Sequence, residues 1–277
     1  MEKKKRLFCE ISPTTYAISL FKERLKRHAK NLLGHERYAK EIQTSPLPVL
    51  VATGGGDMIK RGPGINPIHQ QGKADNIRLA ASRIDGLIIH PGETFSFWQR
   101  VGKTSRRNGF REGRVIVNGR LVAGTGGGLC NLAHTLNLLV QQSPLTVTEL
   151  HHHSDALAPD ADGVRVPYSA GTSVNYNHID YRFRNDTAQA FQPRVWCEGD
   201  TLRAELRTTA PLPHRYRIAE ENHHFHRSES GDFYRISQIY RETLDAQTHA
   251  VTHRRLIRDN RSRVMFDPSL IPPHLIA

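Results

Sequence analysis

The chain has 277 residues and carries 39 Lys plus Arg against 27 Asp plus Glu, a formal charge of +12. Its 38% hydrophobic residues suffice for a core, and no stretch approaches the roughly 18 uninterrupted apolar residues that a spanning helix needs. Three cysteines, Cys9, Cys130 and Cys197, stand far apart with no Cys-x-x-Cys, which excludes a disulfide framework and a zinc ribbon and suits a reducing compartment.

The charge is concentrated at the start. Residues 1–40 hold 11 Lys/Arg and 4 Glu, a net +7. Glu10 and Pro13 follow Lys3-Lys4-Lys5-Arg6 where a secretory signal would place an apolar run, so a cytoplasmic or peripherally membrane-associated protein is expected. Residues 14–33 read as an amphipathic helix, with Tyr16, Leu20, Phe21, Leu25, Ala29 and Leu32 at helical spacing and Gly34 as its stop. The plainer reading packs that apolar face on the domain. The functional one attracts the helix to anionic lipid or wall polymer. Nucleic acid is disfavoured, because no zinc finger, RNP-type aromatic motif or basic repeat is present. Nothing in the sequence sets the oligomeric state.

Residues 44–74 are punctuated by Gly and Pro and read as loop, followed by a short helix over 75–81 with Asp75 as a candidate N-cap. Gly54-Gly55-Gly56 lacks the Gly-Lys-Ser/Thr of a phosphate loop, and no motif calls for a cofactor. Leu87–His90 and Thr94–Phe97 read as short extended pieces. Asn118-Gly119 between two apolar runs predicts a hairpin. Residues 172–184 alternate as a strand does, residues 190–207 form a pair turning at Glu198-Gly199-Asp200, and Arg215–Ile218 and Phe233–Tyr240 are strand-like. The expected fold is α+β: an N-terminal amphipathic helix, and a central Gly-rich turn and helix carrying Cys130 packed on a mostly antiparallel sheet. The expected segments are a basic helical 1–45, a loop-rich 46–83, a core 84–200 and an Arg/His-rich 201–277.

One segment has the composition of a reaction centre. Gly126-Gly127-Gly128 precedes Leu129-Cys130-Asn131, and Leu132, Leu136, Leu139 and Val140 then recur at helical spacing. A thiol at a helix N-terminus is acidified by the dipole and by free N–H groups, which also suit a developing oxyanion. A nucleophilic thiol needs a base, and Glu149-Leu150-His151-His152-His153-Ser154-Asp155 supplies imidazoles about twenty residues on. Glu149, Asp155 or Asp180 is placed to orient one of them. The plainer reading of Cys130 is a small buried hydrophobe, and that of the His run is a strand crossing two environments. A metal site on His151, His153 and the His223-His224-x-His226 cluster is a further alternative.

With these residues in view the chain resembles the VanW family, whose founding protein is encoded beside some vancomycin-resistance genes. The resemblance rests on Pro91-Gly92-Glu93-Thr94-Phe95-Ser96-Phe97-Trp98, Val101-Gly102-Lys103-Thr104, Gly126–Cys130, Glu149–Ser154 and the Gly171–Thr187 tract. It implies a role at the bacterial cell wall and, by analogy with larger proteins carrying such a domain, L,D-transpeptidase-like chemistry on peptidoglycan or its precursors. In that reading Cys130 attacks, His153 is the base with His151 as alternate, and Glu149 or Asp155 orients the ring. Backbone N–H groups of Gly126, Gly127 and Gly128 hold the oxyanion, and Asn131, Ser154 and Trp98 contribute to binding. Asn131 stands where the family commonly has Gln, and Leu150 where it often has Arg. The alternative is a non-catalytic module binding an anionic wall precursor or an envelope partner.

Overall fold

The fold is described from a computed structural model, which covers residues 7–61, 66–117, 120–153, 155–156, 159–160 and 171–277. Helix α1 (Pro13–Leu33) starts on a capping box, in which the Ser12 hydroxyl accepts from the Thr15 N–H and the Thr15 hydroxyl accepts from the Ser12 N–H. At its far end the Gly34 N–H donates to the Lys30 carbonyl. Strand β1 (Val49–Asp57) occupies part of the stretch expected to be loop. Its glycines allow close approach rather than a turn: a Cβ on Gly55 would stand 2.1 Å from the Leu202 carbonyl oxygen, and one on Gly54 3.3 Å from Leu139.

Helix α2 (Pro67–Ile84) is longer than the helix expected over 75–81. Asn66 caps it and Pro67 takes the first turn, a stronger start than Asp75, and the helix runs through Gly72 because a side chain there would strike the Glu112 carbonyl. Among the described residues, Leu87 and Ile89 pair through isolated bridges to Ile42 and to Phe191 rather than within a longer strand. Strand β2 (Thr94–Ser96) runs into the short helix α3 (Phe97–Val101), capped by the Ser96 hydroxyl. The predicted hairpin is present as β3 (Glu112–Val117) and β4 (Arg120–Thr125), Val117 facing Arg120, while its Asn118-Gly119 turn lies outside the described residues.

Helix α4 (Leu129–Gln141) follows the glycine turn and is largely buried, including Leu129, Leu132, Ala133, Leu136, Leu139 and Val140. Next come β5 (Thr146–Glu149), the two-residue β6 (Asp155–Ala156), β7 (Arg182–Arg184), β8 (Phe191–Glu198) and β9 (Thr201–Thr208). The alternating tract 172–184 is not one strand: it turns between Asn175 and Ile179, with Asn177 at φ 46°, before β7 begins. Three long strands close the chain, β10 (His214–Arg227), β11 (Phe233–Asp245) and β12 (Val251–Val264). Arg254 stacks on Tyr240, and Arg241 stacks on Tyr216 across that sheet.

The fold is α+β. The sheets run β1-β9-β8, β2-β7-β5, the hairpin β3-β4, and β10-β11-β12-β6, antiparallel except for the parallel β12–β6 pair. Helix α4 packs on β1 and β9 with α2 beside it, and one core joins Ile77, Ala80, Leu132, Leu136, Phe95, Phe183, Phe191 and Leu202. Residue 83 lies in the last turn of α2 and residue 200 in the turn of the β8–β9 hairpin, and β1 pairs with β9.

Candidate functional site

The glycine turn is shaped by contact on three sides. A Cβ on Gly126 would meet Thr104 at 2.9 Å, one on Gly127 the Gly113 backbone at 2.4 Å, and one on Gly128 the Lys73 side chain at 2.4 Å. Gly126 and Gly128 also hold φ of 85° and 100°, which favours glycine. Asn76, buried in α2, fixes the turn: its amide donates to the carbonyls of Gly127 at 2.9 Å and Arg111 at 3.0 Å, while its oxygen accepts from the Arg111 N–H. Two of the three expected oxyanion donors are already engaged. The Gly126 N–H donates to the Arg111 carbonyl and the Gly127 N–H to the Gly124 carbonyl. The Gly128, Leu129 and Cys130 amides open α4, where helical N–H groups lack an intrahelical acceptor.

Cys130 is the second residue of α4, where the glycines and the leucine period place it. Its thiol points inward and donates to the Val174 carbonyl at 3.7 Å. Burial pushes the thiol up, outweighing the backbone hydrogen bonding of Val174 and of Cys130 itself, so it rests protonated at neutral pH. The helix start alone therefore does not produce a thiolate.

The His run lies one strand from that carbonyl. His152 bridges Thr172, the Ser173 N–H donates to the His151 carbonyl at 2.8 Å, and His152 Nδ1 lies 3.3 Å from the Gly171 carbonyl. The His153 ring packs on Gly171, where a Cβ would come within 3.0 Å of its Cδ2. His134, one helical turn after Cys130, is near enough to His153 and Arg258 for their charges to act on it, and the sequence pattern gives it no role although Cys130 and His134 share a helix face by spacing. Burial lowers His134 and His152 to about 4, with His153 and Arg258 adding to the effect on His134 and Arg258 to that on His152. His153 is also lowered by burial, against the pull of Asp155. These three rings are neutral at pH 7 and able to accept a proton. The ground state is therefore a thiol among neutral imidazoles, and no Cys130–His hydrogen bond is formed among the described residues.

The other expected site residues are distributed differently. Glu149 grips Arg27 of α1 with both oxygens at 2.6 Å, accepts from the Asp180 N–H at 3.0 Å and lies 3.3 Å from His151 Nε2. Burial would raise its carboxyl, and the Arg27 hydrogen bonds outweigh that and hold it low. Asp155, in β6 beside Arg263 of β12, is near enough to His153 to act on its charge. Asn131 is exposed on the first turn of α4, and Ser154 lies outside the described residues. Trp98 is 6% exposed and donates its indole N–H to the Ile179 carbonyl at 2.8 Å, so packing rather than an open face determines its place.

Asp180 was expected only as a candidate to orient an imidazole, and Lys73 had no expected role. Buried Asp180 accepts from the Ser96 hydroxyl, the Trp98 and Tyr181 N–H groups and Arg182, which also reaches Glu36, Tyr38 and Asn31. Lys73 lies across Gly128, and burial, aided by Lys60 and Arg114, lowers its ammonium to about 8. As to the metal alternative, no group of three or more His, Cys, Asp or Glu side chains among the described residues is arranged to hold an ion. Among the described residues no helix is long and apolar enough to cross a membrane.

Residues 72–207, which span the glycine turn, α4 and the His-bearing segment, match the family described as VanW like protein. The chain belongs to the VanW family. It is 26% identical to the vancomycin B-type resistance protein VanW of Enterococcus faecalis, over 83% of this chain and 82% of that one. It is 30% identical to the uncharacterized protein YoaR of Bacillus subtilis, over 52% of this chain and 46% of that one. No solved structure matches.

Proposed function

We propose that the chain is a cysteine-dependent acyl transferase or hydrolase acting on amide or acyl bonds of peptidoglycan or its precursors, in the manner of an L,D-transpeptidase. The observation that carries this reading is that the Cys130 thiol, at the start of α4, bonds the Val174 carbonyl on the segment whose Ser173 N–H bonds the His151 carbonyl. The relative named for vancomycin resistance supports the wall as the setting.

Because thiol and imidazoles are neutral at rest, the base removes the proton as attack begins. His153 takes the Sγ proton, with His134 beside it. Sulfur bonds to the amide carbonyl carbon, and charge on its oxygen is met by the opening amides of α4. The imidazolium returns its proton to the leaving amine as the C–N bond breaks, giving a thioester. Water or a second amine attacks the thioester and the thiol is restored.

Incubation with a purified muropeptide, followed by intact-protein mass spectrometry, tests this. Expected is a thioester adduct on the wild type and none on Cys130→Ala. The buried, protonated thiol favours a second reading, a non-catalytic module for an anionic wall precursor. The absence of an adduct, together with full biological activity of Cys130→Ala, would replace the first reading by the second.

A further inference from the structure

Helix α1 is inside out relative to an ordinary surface helix. Its half-buried row is Leu20, Arg24, Arg27 and Asn31, and it docks through polar contacts. Arg24 donates to the Tyr176 carbonyl and stacks on that ring, Arg27 holds Glu149, and Asn31 accepts from Arg182. No residue of α1 is fully buried. At 100° per residue Ile18, Phe21, Leu25 and Leu32 lie together about 120° around the helix from that row, exposed by 53%, 68%, 60% and 85%. Along one edge of that stripe, Lys22, Lys26 and Lys30 recur every fourth position, all exposed. The helix has one acidic residue, Glu23, and it is paired with Lys26 at 2.9 Å. Phe8 and Ile11, just before the helix, are exposed as well.

From this we infer that α1 lies in the surface of an anionic lipid bilayer, with Ile18, Phe21, Leu25 and Leu32 among the acyl chains and the lysine row at the headgroups. The inference rests on the orientation of α1 and is independent of the proposed chemistry. The domain side of the helix is already tied by Arg27–Glu149, so the apolar stripe cannot turn inward without breaking that pair. The charge selects the occupant. A second copy would offer the lysine row no unpaired helical carboxylate, whereas anionic headgroups complement it, and the exposed side chains supply the burial that holds an interfacial helix. The Lys3-Lys4-Lys5-Arg6 sequence adds charge of the same sign just upstream.

The test is co-sedimentation of the full chain with phosphatidylcholine vesicles, with and without phosphatidylglycerol, at low and high salt. The wild type is expected to bind the phosphatidylglycerol vesicles and to be weakened by salt. Phe21→Ser/Leu25→Ser is expected to lose about ten-fold or more in partition coefficient. Both positions face solvent, so the double variant should keep the wild-type circular dichroism and melting temperature. Lys22→Gln/Lys26→Gln should lose the preference for phosphatidylglycerol. Failure of the wild type to bind, or unchanged partitioning of Phe21→Ser/Leu25→Ser, overturns the inference. So does a wild-type dimer in solution that the same variant converts to monomer, since a second copy would then cover the stripe.

Discussion

The glycines allow backbone strain and steric collision to be separated in one protein. Gly92 has φ 78° and open space where a Cβ would stand; Gly127 lacks a positive φ but its Cβ would strike the Gly113 carbon at 2.4 Å and the Arg114 nitrogen at 2.7 Å; Gly128 combines φ 100° with a Lys73 carbonyl at 3.1 Å. Alanine in the left-handed region costs roughly 1–2 kcal/mol, partly offset because alanine also narrows the unfolded ensemble, so Gly92→Ala should cost about 1 kcal/mol. Overpacking against backbone that cannot swing aside costs roughly 1–3 kcal/mol, placing Gly127→Ala at about 2 kcal/mol. Gly128→Ala incurs both and should cost about 3 kcal/mol. Equilibrium urea unfolding at neutral pH measures all three. If Gly127→Ala costs no more than Gly92→Ala, contact with β3 does not shape the turn and the account given for it is wrong.

Replacing Glu149 by Gln leaves Arg27 without its carboxylate, at side-chain exposures of 12% and 13%, and should cost about 3 kcal/mol while making α1 an early site of limited proteolysis. An unchanged melting curve and digestion pattern would count against the anchoring role. His134 and His152 are held near 4 in the folded chain against about 6.5 unfolded, so the unfolded state takes up protons first as pH falls. Their contribution is complete above about pH 6.5 and declines toward pH 4, by at most about 3 kcal/mol each, and His152→Asn should flatten the fall in urea midpoint between neutral pH and about pH 5. An identical pH profile for wild type and variant would remove this source of acid lability. Cys130 alkylation by iodoacetamide should be slow at neutral pH and accelerate as pH rises, following its raised pKa; rapid labelling at pH 7, read by peptide mass spectrometry, would contradict the buried resting thiol.

Where periodicity and turn chemistry act locally, the sequence was readable. Helix α4, the β3–β4 and β8–β9 hairpins and the position of Cys130 at a helix start all follow from spacing and glycine placement. Helix α1 was readable as a helix, but its orientation was not, because the apolar period says nothing about Arg27 finding Glu149 across the fold. Strand β1 was hidden for a related reason: its glycines look like loop until Leu202 and Leu139 are known to press on them. At the site, the segments carrying cysteine and histidine could be found, while the Asp180–Arg182 network, Lys73 and the inward thiol depend on long-range packing. His134, four residues after Cys130, is within reach of the spacing argument, but the His run is the more conspicuous source of a base.

The pairing of β1 with β9 has a consequence for synthesis. Val49 lies opposite Thr208, so β1 leaves the ribosome long before its partner is made. Until then the α4 face that β1 and β9 cover is without its lid, and the nascent chain must hold an apolar helix in check. Gly54–Gly56 give the second half of the waiting strand a low β propensity and no side chains to pack. The feature that makes β1 hard to recognise as a strand thus also makes it a poor template for mispairing while the rest of the sheet is being translated.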